Sequence, residues 1–237
     1  MKIEVWSDVV CPWCWIGERR LASALARFDH RDDVEVVFHS FELDPSTPRD
    51  LDAKTTEHLA KKYGLGPAQL AAMLDRVRGL GRAEGLDMKL EATRTANTFD
   101  THRLIHLAAA HGEQRAMVDR LFRAYFTDCA RVGDRALLAA LAAEIGLDEA
   151  EVTDALAGDR FADAVRADEA KARALGISGV PFYLVDGAIG VSGAQPAEVL
   201  IDVLAKAWAK NPTPRAARVA DAAATPGGAC DDGSCAV

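Results

Sequence analysis

Two cysteines three apart, in Cys11-Pro12-Trp13-Cys14, are the residues best suited to chemistry. Thiols at this spacing can close a small disulfide ring with little change in the backbone, so the pair can be oxidised and reduced in place. If the stretch opens a helix, the first sulfur meets unpaired N–H groups and the positive end of the helix dipole, which favour its thiolate. The second lies one turn further on, on the core-facing side, and is expected to be less accessible. Cys11 then attacks a partner disulfide and Cys14 resolves the mixed intermediate. Pro12 suits a first helical turn but lacks an N–H, which removes one donor to that thiolate. The same spacing also serves as a zinc half-site or as two inert core cysteines, and the location of the motif separates these readings.

The elements around it can be read from periodicity. Residues 2–6 alternate, with Ile3 and Val5 on one face, and predict a strand. Cys14, Leu21, Leu25 and Phe28 recur at helical spacing and predict a helix over residues 12–28. Residues 34–39, rich in β-branched side chains, predict a second strand. Strand, helix and strand in this order form a βαβ unit with a right-handed crossover. A CxxC at its strand-to-helix junction favours redox chemistry over zinc. Helical segments are then expected over 52–63, 67–83, 97–110, 114–127, 134–145, 148–157 and 160–175, with Gly64, Gly112, Gly133, Gly146 and Gly158 between them. Strand signals return at Phe182–Val185 and Ile189–Val191 around an Asp186-Gly187 turn, and a last helix opens at Pro196 and runs to Trp208. The fold class is therefore α/β. Residues 1–49 and 176–210 form one domain, 50–175 a large all-helical insertion, and 211–237 a flexible tail rich in Pro, Ala, Gly and Asp.

Composition sets the outer bounds. The chain has 237 residues, with 28 basic and 36 acidic side chains and a net charge of −8, so no global attraction to nucleic acid is expected. The longest wholly apolar run, Ala136–Ala143, is too short to span a bilayer. The first residues lack the basic start and long apolar stretch of a secretory signal, which predicts a cytoplasmic protein. Five cysteines in a reducing compartment point to redox or metal chemistry rather than to structural cross-links. Oligomeric state is left open between monomer and dimer.

Other residues invite weaker readings. Pro181, in Gly179-Val180-Pro181-Phe182, opens the late strand and can be a plain entry residue or a cis proline. Cys230 and Cys235 bracket Asp231-Asp232-Gly233-Ser234 and can close a small loop of their own. The adjacent acids disfavour thiolate, which makes them weaker attackers than Cys11. About twenty flexible residues after Trp208 would span on the order of 25 Å, enough to cross a small domain. Cys129 reads as an incidental thiol. His102 and His106 lie four apart on a helix, a spacing some metal ligands use, but lack an evident third ligand. Asp8, three residues before Cys11, either tunes the pKa of that thiol or, on the plainer reading, is a solvent-facing acid at a strand end, and Asn97 and His102 either line a pocket or are ordinary helix residues. No metal site is expected.

Six stretches in order carry a resemblance to a known family: Ser7–Gly17, Phe41–Pro45, Asn97-Thr98 with His102–Leu104, Leu121–Phe126, Gly176–Phe182 and Ser192–Pro196. The chain resembles the DsbA-like oxidoreductases of the thioredoxin fold, and most of all their FrnE-type branch. The resemblance implies a thioredoxin fold interrupted by the helical insertion, and dithiol–disulfide exchange through Cys11 and Cys14. It implies that Pro181 is the cis-proline, with Pro12, Trp13 and Val180 contacting substrate. FrnE-type proteins likewise carry a second CxxxxC pair near the carboxyl end, so Cys230 and Cys235 either exchange electrons with the first pair or form an exposed tail pair that oxidises adventitiously. Partners would be protein or small-molecule thiols and disulfides; no cofactor is implied, although glutathione is a candidate redox partner. The same superfamily holds 2-hydroxychromene-2-carboxylate isomerases and kappa-class glutathione transferases, which typically carry serine where this chain has Cys11. A glutathione-dependent isomerase or transferase acting on a small aromatic or polyketide-like molecule is the first alternative. A non-catalytic protein holding zinc on Cys11, Cys14, Cys230 and Cys235 is the second.

Overall fold

In the computed structural model, which describes residues 1–49, 51 and 53–212, the chain opens with β1 (Lys2–Ser7) and then α1 (Pro12–Ala26). β2 (Glu35–Ser40) pairs parallel to β1, from Lys2 opposite Glu35 to Ser7 opposite Ser40, and closes the expected βαβ unit. Near the other end, β3 (Phe182–Val185) runs antiparallel to β1 and to β4 (Ile189–Ser192). The strand order is β2-β1-β3-β4. Asp186 and Gly187 both take positive φ, 48° and 67°, the turn that joins two strands with least splay. α9 (Ala197–Lys210) packs on α1. This is the thioredoxin arrangement that the resemblance implied.

Among the described residues, seven helices separate β2 from β3: α2 (Thr55–Tyr63), α3 (Pro67–Ala83), α4 (Phe99–Ala110), α5 (Gln114–Phe126), α6 (Arg135–Glu144), α7 (Glu149–Ala157) and α8 (Ala162–Ala174). Local chemistry sets two of their starts. The Asp134 carboxylate accepts the Ala136 N–H at 2.9 Å, and that of Asp148 accepts the Glu151 N–H at 2.7 Å, each supplying a partner to a helix end that has none of its own. Trp15 of α1 stacks on Phe122 and Phe126 of α5 with ring centroids 6.1 and 5.6 Å apart. One continuous apolar core therefore runs from Ile3, Val5 and Tyr183 in the sheet to Leu104 and Met117 in the helices.

The other face of the sheet is covered too. Trp6 packs there with Ala172 of α8, Ile177 and Phe182. Asp168 of α8 accepts the Ser40 N–H at 2.8 Å, and its carbonyl accepts the Trp6 indole N–H at 3.2 Å. The sequence grouped α8 with the insertion; in space it forms the second layer on the sheet while also touching α4. That dual contact explains why β1 is buried on both faces, where the alternation of Ile3 and Val5 suggested one.

Candidate active site

β1 ends at Ser7, and a short loop delivers Cys11 to the threshold of α1. Cys11 is the residue immediately before the helix, in extended conformation, with Pro12 as the first helical residue. Its N–H donates to the Asp8 carbonyl at 3.1 Å, and its own carbonyl accepts the Cys14 N–H at 3.0 Å. Both cysteines are free thiols. The Cys11 side chain makes no hydrogen bond to the first helical turn; its thiol instead faces the Val180 carbonyl, at 3.6 Å. The Val180–Pro181 peptide bond is cis. The Pro181 carbonyl accepts the Gly193 N–H at 2.8 Å, which ties the loop to the end of β4.

The difference in access expected between the two sulfurs is small, since Cys11 is 4% exposed and Cys14 2%. Burial and the adjacent Cys11 push the Cys14 thiol well above the usual thiol range, while the Asp8 main chain and the Ser7 hydroxyl draw it part of the way back. A thiol held protonated in this way suits the second, resolving step better than the first.

Below the pair, α1 and β3 approach closely at Gly17. A Cβ there would lie 2.3 Å from the Tyr183 hydroxyl and 3.0 Å from Cγ of Pro181, so only glycine lets the proline loop sit against the helix. The Tyr183 hydroxyl is buried without a hydrogen-bond partner among the described residues. Burial, together with negative charge on Cys14, Glu18 or Cys11, raises its phenol far above the ordinary value, so it stays protonated.

Other predicted residues separate. Pro12, Trp13 and Val180 are half-buried beside the pair, whereas Cys230 and Cys235 lie outside the described residues. Asp8 does not face solvent: it is buried, and its carboxylate accepts the Leu43 N–H at 2.8 Å, because the insertion closes over the strand end. His102 and His106 point to different partners, Asp8 and Asp168, at 3.5 and 3.0 Å. Asn97 serves the backbone, donating to the Thr47 carbonyl at 2.8 Å and accepting the Phe99 N–H at 3.1 Å. Cys129 is partly buried at positive φ, 55°, remote in sequence from the pair. Among the described residues no three potential ligands gather as a metal site, and no helix is long and apolar enough to cross a membrane. The sequence reading missed Gly17, Tyr183 and Ser7 as parts of the site. Gly17 sat inside a recognised stretch, but nothing local says which side chain will approach it.

A family model for the DSBA-like thioredoxin domain matches residues 2–205. The chain belongs to that family. It is 45% identical to a probable DsbA oxidoreductase of Streptomyces coelicolor whose structure is solved, with a TM-score of 0.86 over 90% of this chain and 92% of that one. It is 29% identical over 166 residues to the uncharacterized protein YwbO of Bacillus subtilis, covering 70% of this chain and 76% of that protein. A 2-hydroxychromene-2-carboxylate isomerase shares the fold at 14% identity, with a TM-score of 0.66 over 90% of this chain and 98% of that one.

Proposed function

We propose that this DsbA-like protein is a dithiol–disulfide oxidoreductase in which Cys11 attacks and Cys14 resolves. The observation that carries the reading is the placement of two free thiols at the start of α1, with Cys11 directed at the Val180 carbonyl across the Val180–Pro181 loop. A partner chain lying along Val180 would bring its disulfide to the first sulfur. The Cys11 thiolate forms a bond to one partner sulfur, and the other leaves as a thiolate. Cys14 then gives up its proton and attacks Cys11, the mixed disulfide breaks, and the second partner thiolate leaves. The partner disulfide has gained two electrons and two protons, and the protein holds a Cys11–Cys14 disulfide. Every step runs in reverse, so the potential of the pair and the compartment, expected to be the cytoplasm, fix the direction.

The proposal extends to the tail, with Cys230 and Cys235 supplying or draining electrons at Cys11–Cys14. Replacing both by serine is then expected to change turnover on protein disulfides, and an unchanged rate removes the shuttle. Glutathione would serve as a small-molecule partner at Cys11. The isomerase reading has weaker support, because the chain offers two thiols where those enzymes typically offer a hydroxyl.

The deciding experiment is disulfide mapping by mass spectrometry after equilibration in glutathione buffers of graded potential. Reversible opening and closing of Cys11–Cys14 is the expected result, and its midpoint gives the direction. A pair that stays inert across the whole range ends the oxidoreductase reading.

A further inference from the structure

Asp8 and His102 face each other across the boundary between the sheet domain and the insertion. Asp8 lies three residues before Cys11, and His102 is on α4. Each is only 1% exposed. Asp8 Oδ1 and His102 Nε2 are 3.5 Å apart, and neither atom has a hydrogen-bond partner among the described residues. Asp8 Oδ2 is already engaged by the Leu43 N–H at 2.8 Å. A buried carboxylate oxygen without compensation is costly, and the imidazole is the basic group aimed at it. Tyr125 of α5 also lies within electrostatic reach of Asp8, but burial pushes its phenol up to about 12, so it brings no charge near neutrality.

The backbone of Asp8 handles both cysteines. Its carbonyl accepts the Cys11 N–H at 3.1 Å, and its main chain favours the Cys14 thiolate. The residue that carries the buried carboxylate is therefore the one that anchors the reactive pair. Whatever charge it keeps acts on the sulfurs through a poorly screened interior.

We propose that Asp8 and His102 form a charge-compensating pair that governs how readily the Cys11–Cys14 dithiol ionises, so that the helical insertion tunes the chemistry of the sheet domain through one histidine. When the imidazole also carries its Nδ1 proton, one proton held between Oδ1 and Nε2 makes the pair neutral, whichever of those two atoms carries it. Without His102 the carboxylate stands as an uncompensated negative charge in the interior, three residues before Cys11, and thiolate becomes harder to form. A thiol that ionises less readily is a slower attacker at a given pH. His102 is a positioning residue in this scheme, since it touches no reacting atom.

The proposal rests on the oxidoreductase reading, and the test separates the two. In the full-length protein, iodoacetamide modification of the Cys11 peptide is followed by mass spectrometry against pH, alongside the glutathione equilibrium. His102→Gln is expected to react roughly tenfold more slowly at pH 7, about one pKa unit. Asp8→Asn in the same chain removes the uncompensated charge and keeps an acceptor for Leu43. The double variant should return to within about twofold of the parent rate. A pair that only glues the two domains together would weaken stability without this rescue. A His102→Gln rate within twofold of the parent, or a double variant no faster than His102→Gln, overturns the proposal.

A measurement on the unmodified protein covers the case in which the variants do not fold. Coupling is reciprocal, so the side-chain ¹⁵N titration of His102 should differ between the reduced and oxidised forms. Superimposable curves overturn the proposal. If the unmodified pair never equilibrates with glutathione, the oxidoreductase reading falls instead.

Discussion

Cys14 is hard to ionise, because burial and the adjacent Cys11 both oppose its charge. An attacking group needs thiolate at working pH, whereas a resolving group can release its proton after the mixed disulfide has formed. Cys14→Ser should therefore accumulate mixed disulfides with partner proteins, and Cys11→Ser should accumulate none, as read on non-reducing gels. Equal trapping by both variants would end the assignment of roles. Gly17 offers a second test at this scale. An alanine there gains up to about 1 kcal/mol of helix propensity, but its Cβ would lie 2.3 Å from the Tyr183 hydroxyl. Overpacking of that kind costs about 1–3 kcal/mol, so Gly17→Ala is expected to lower stability in urea unfolding. Tyr183→Phe deletes the offending atom together with a buried hydroxyl that has no partner, so the double variant should recover part of the loss. The recovery is incomplete, because Pro181 Cγ still lies 3.0 Å from the new methyl. No recovery at all would mean that the clash lies elsewhere.

The seam between α8 and β2 is held by one carboxylate. Asp168 accepts from His39 Nδ1 at 2.5 Å and from the Ser40 N–H at 2.8 Å, and it lies 3.0 Å from His106 Nε2. Burial alone would raise its carboxyl, but the hydrogen bonds from His106 and His39 outweigh burial and hold it well below the usual carboxylate range. A folded value below the unfolded one means that its stabilisation is complete above the unfolded value, about 3.9, and drains away as pH falls toward the folded one. The stability gap between the parent and Asp168→Asn should therefore narrow by on the order of 2 kcal/mol from about pH 4.5 to about pH 2.5. A gap that stays constant in urea titrations over that range would show that Asp168 is not so depressed. This seam also marks where the sequence stops being legible. The CxxC at a strand-to-helix junction, the βαβ start and the Asp-Gly hairpin are written within a few residues of one another, and periodicity recovers them. The burial of Asp8 under His102, and the return of α8 to the sheet through Asp168 and Ser40, join residues far apart in the chain. No local pattern encodes those contacts, and for that reason Asp8 reads from sequence as a solvent-facing acid and α8 as one more helix of the insertion.

At the scale of the molecule the question is whether sheet and insertion fold as one body. The answer turns on Trp15. It follows Cys14 directly, is buried, and stacks on Phe122 and Phe126 of α5, joining the active-site helix to the helical core. A core continuous through one aromatic stack predicts a single cooperative transition. Replacing a large buried aromatic by alanine costs about 3–5 kcal/mol, and in Trp15→Ala that loss falls at the joint rather than inside either part. The remaining tryptophans, Trp6, Trp13 and Trp208, all belong to the sheet domain. In this variant, fluorescence therefore reports the sheet domain, while far-UV circular dichroism is dominated by the insertion helices. The unmodified protein is expected to give coincident urea transitions by both probes, and Trp15→Ala transitions that come earlier and part from each other. If the variant is destabilised but the probes still coincide, the joint is carried by the wider α1–α3 and α1–α5 contacts. The insertion would then hold the CxxC helix by its whole surface rather than by one side chain.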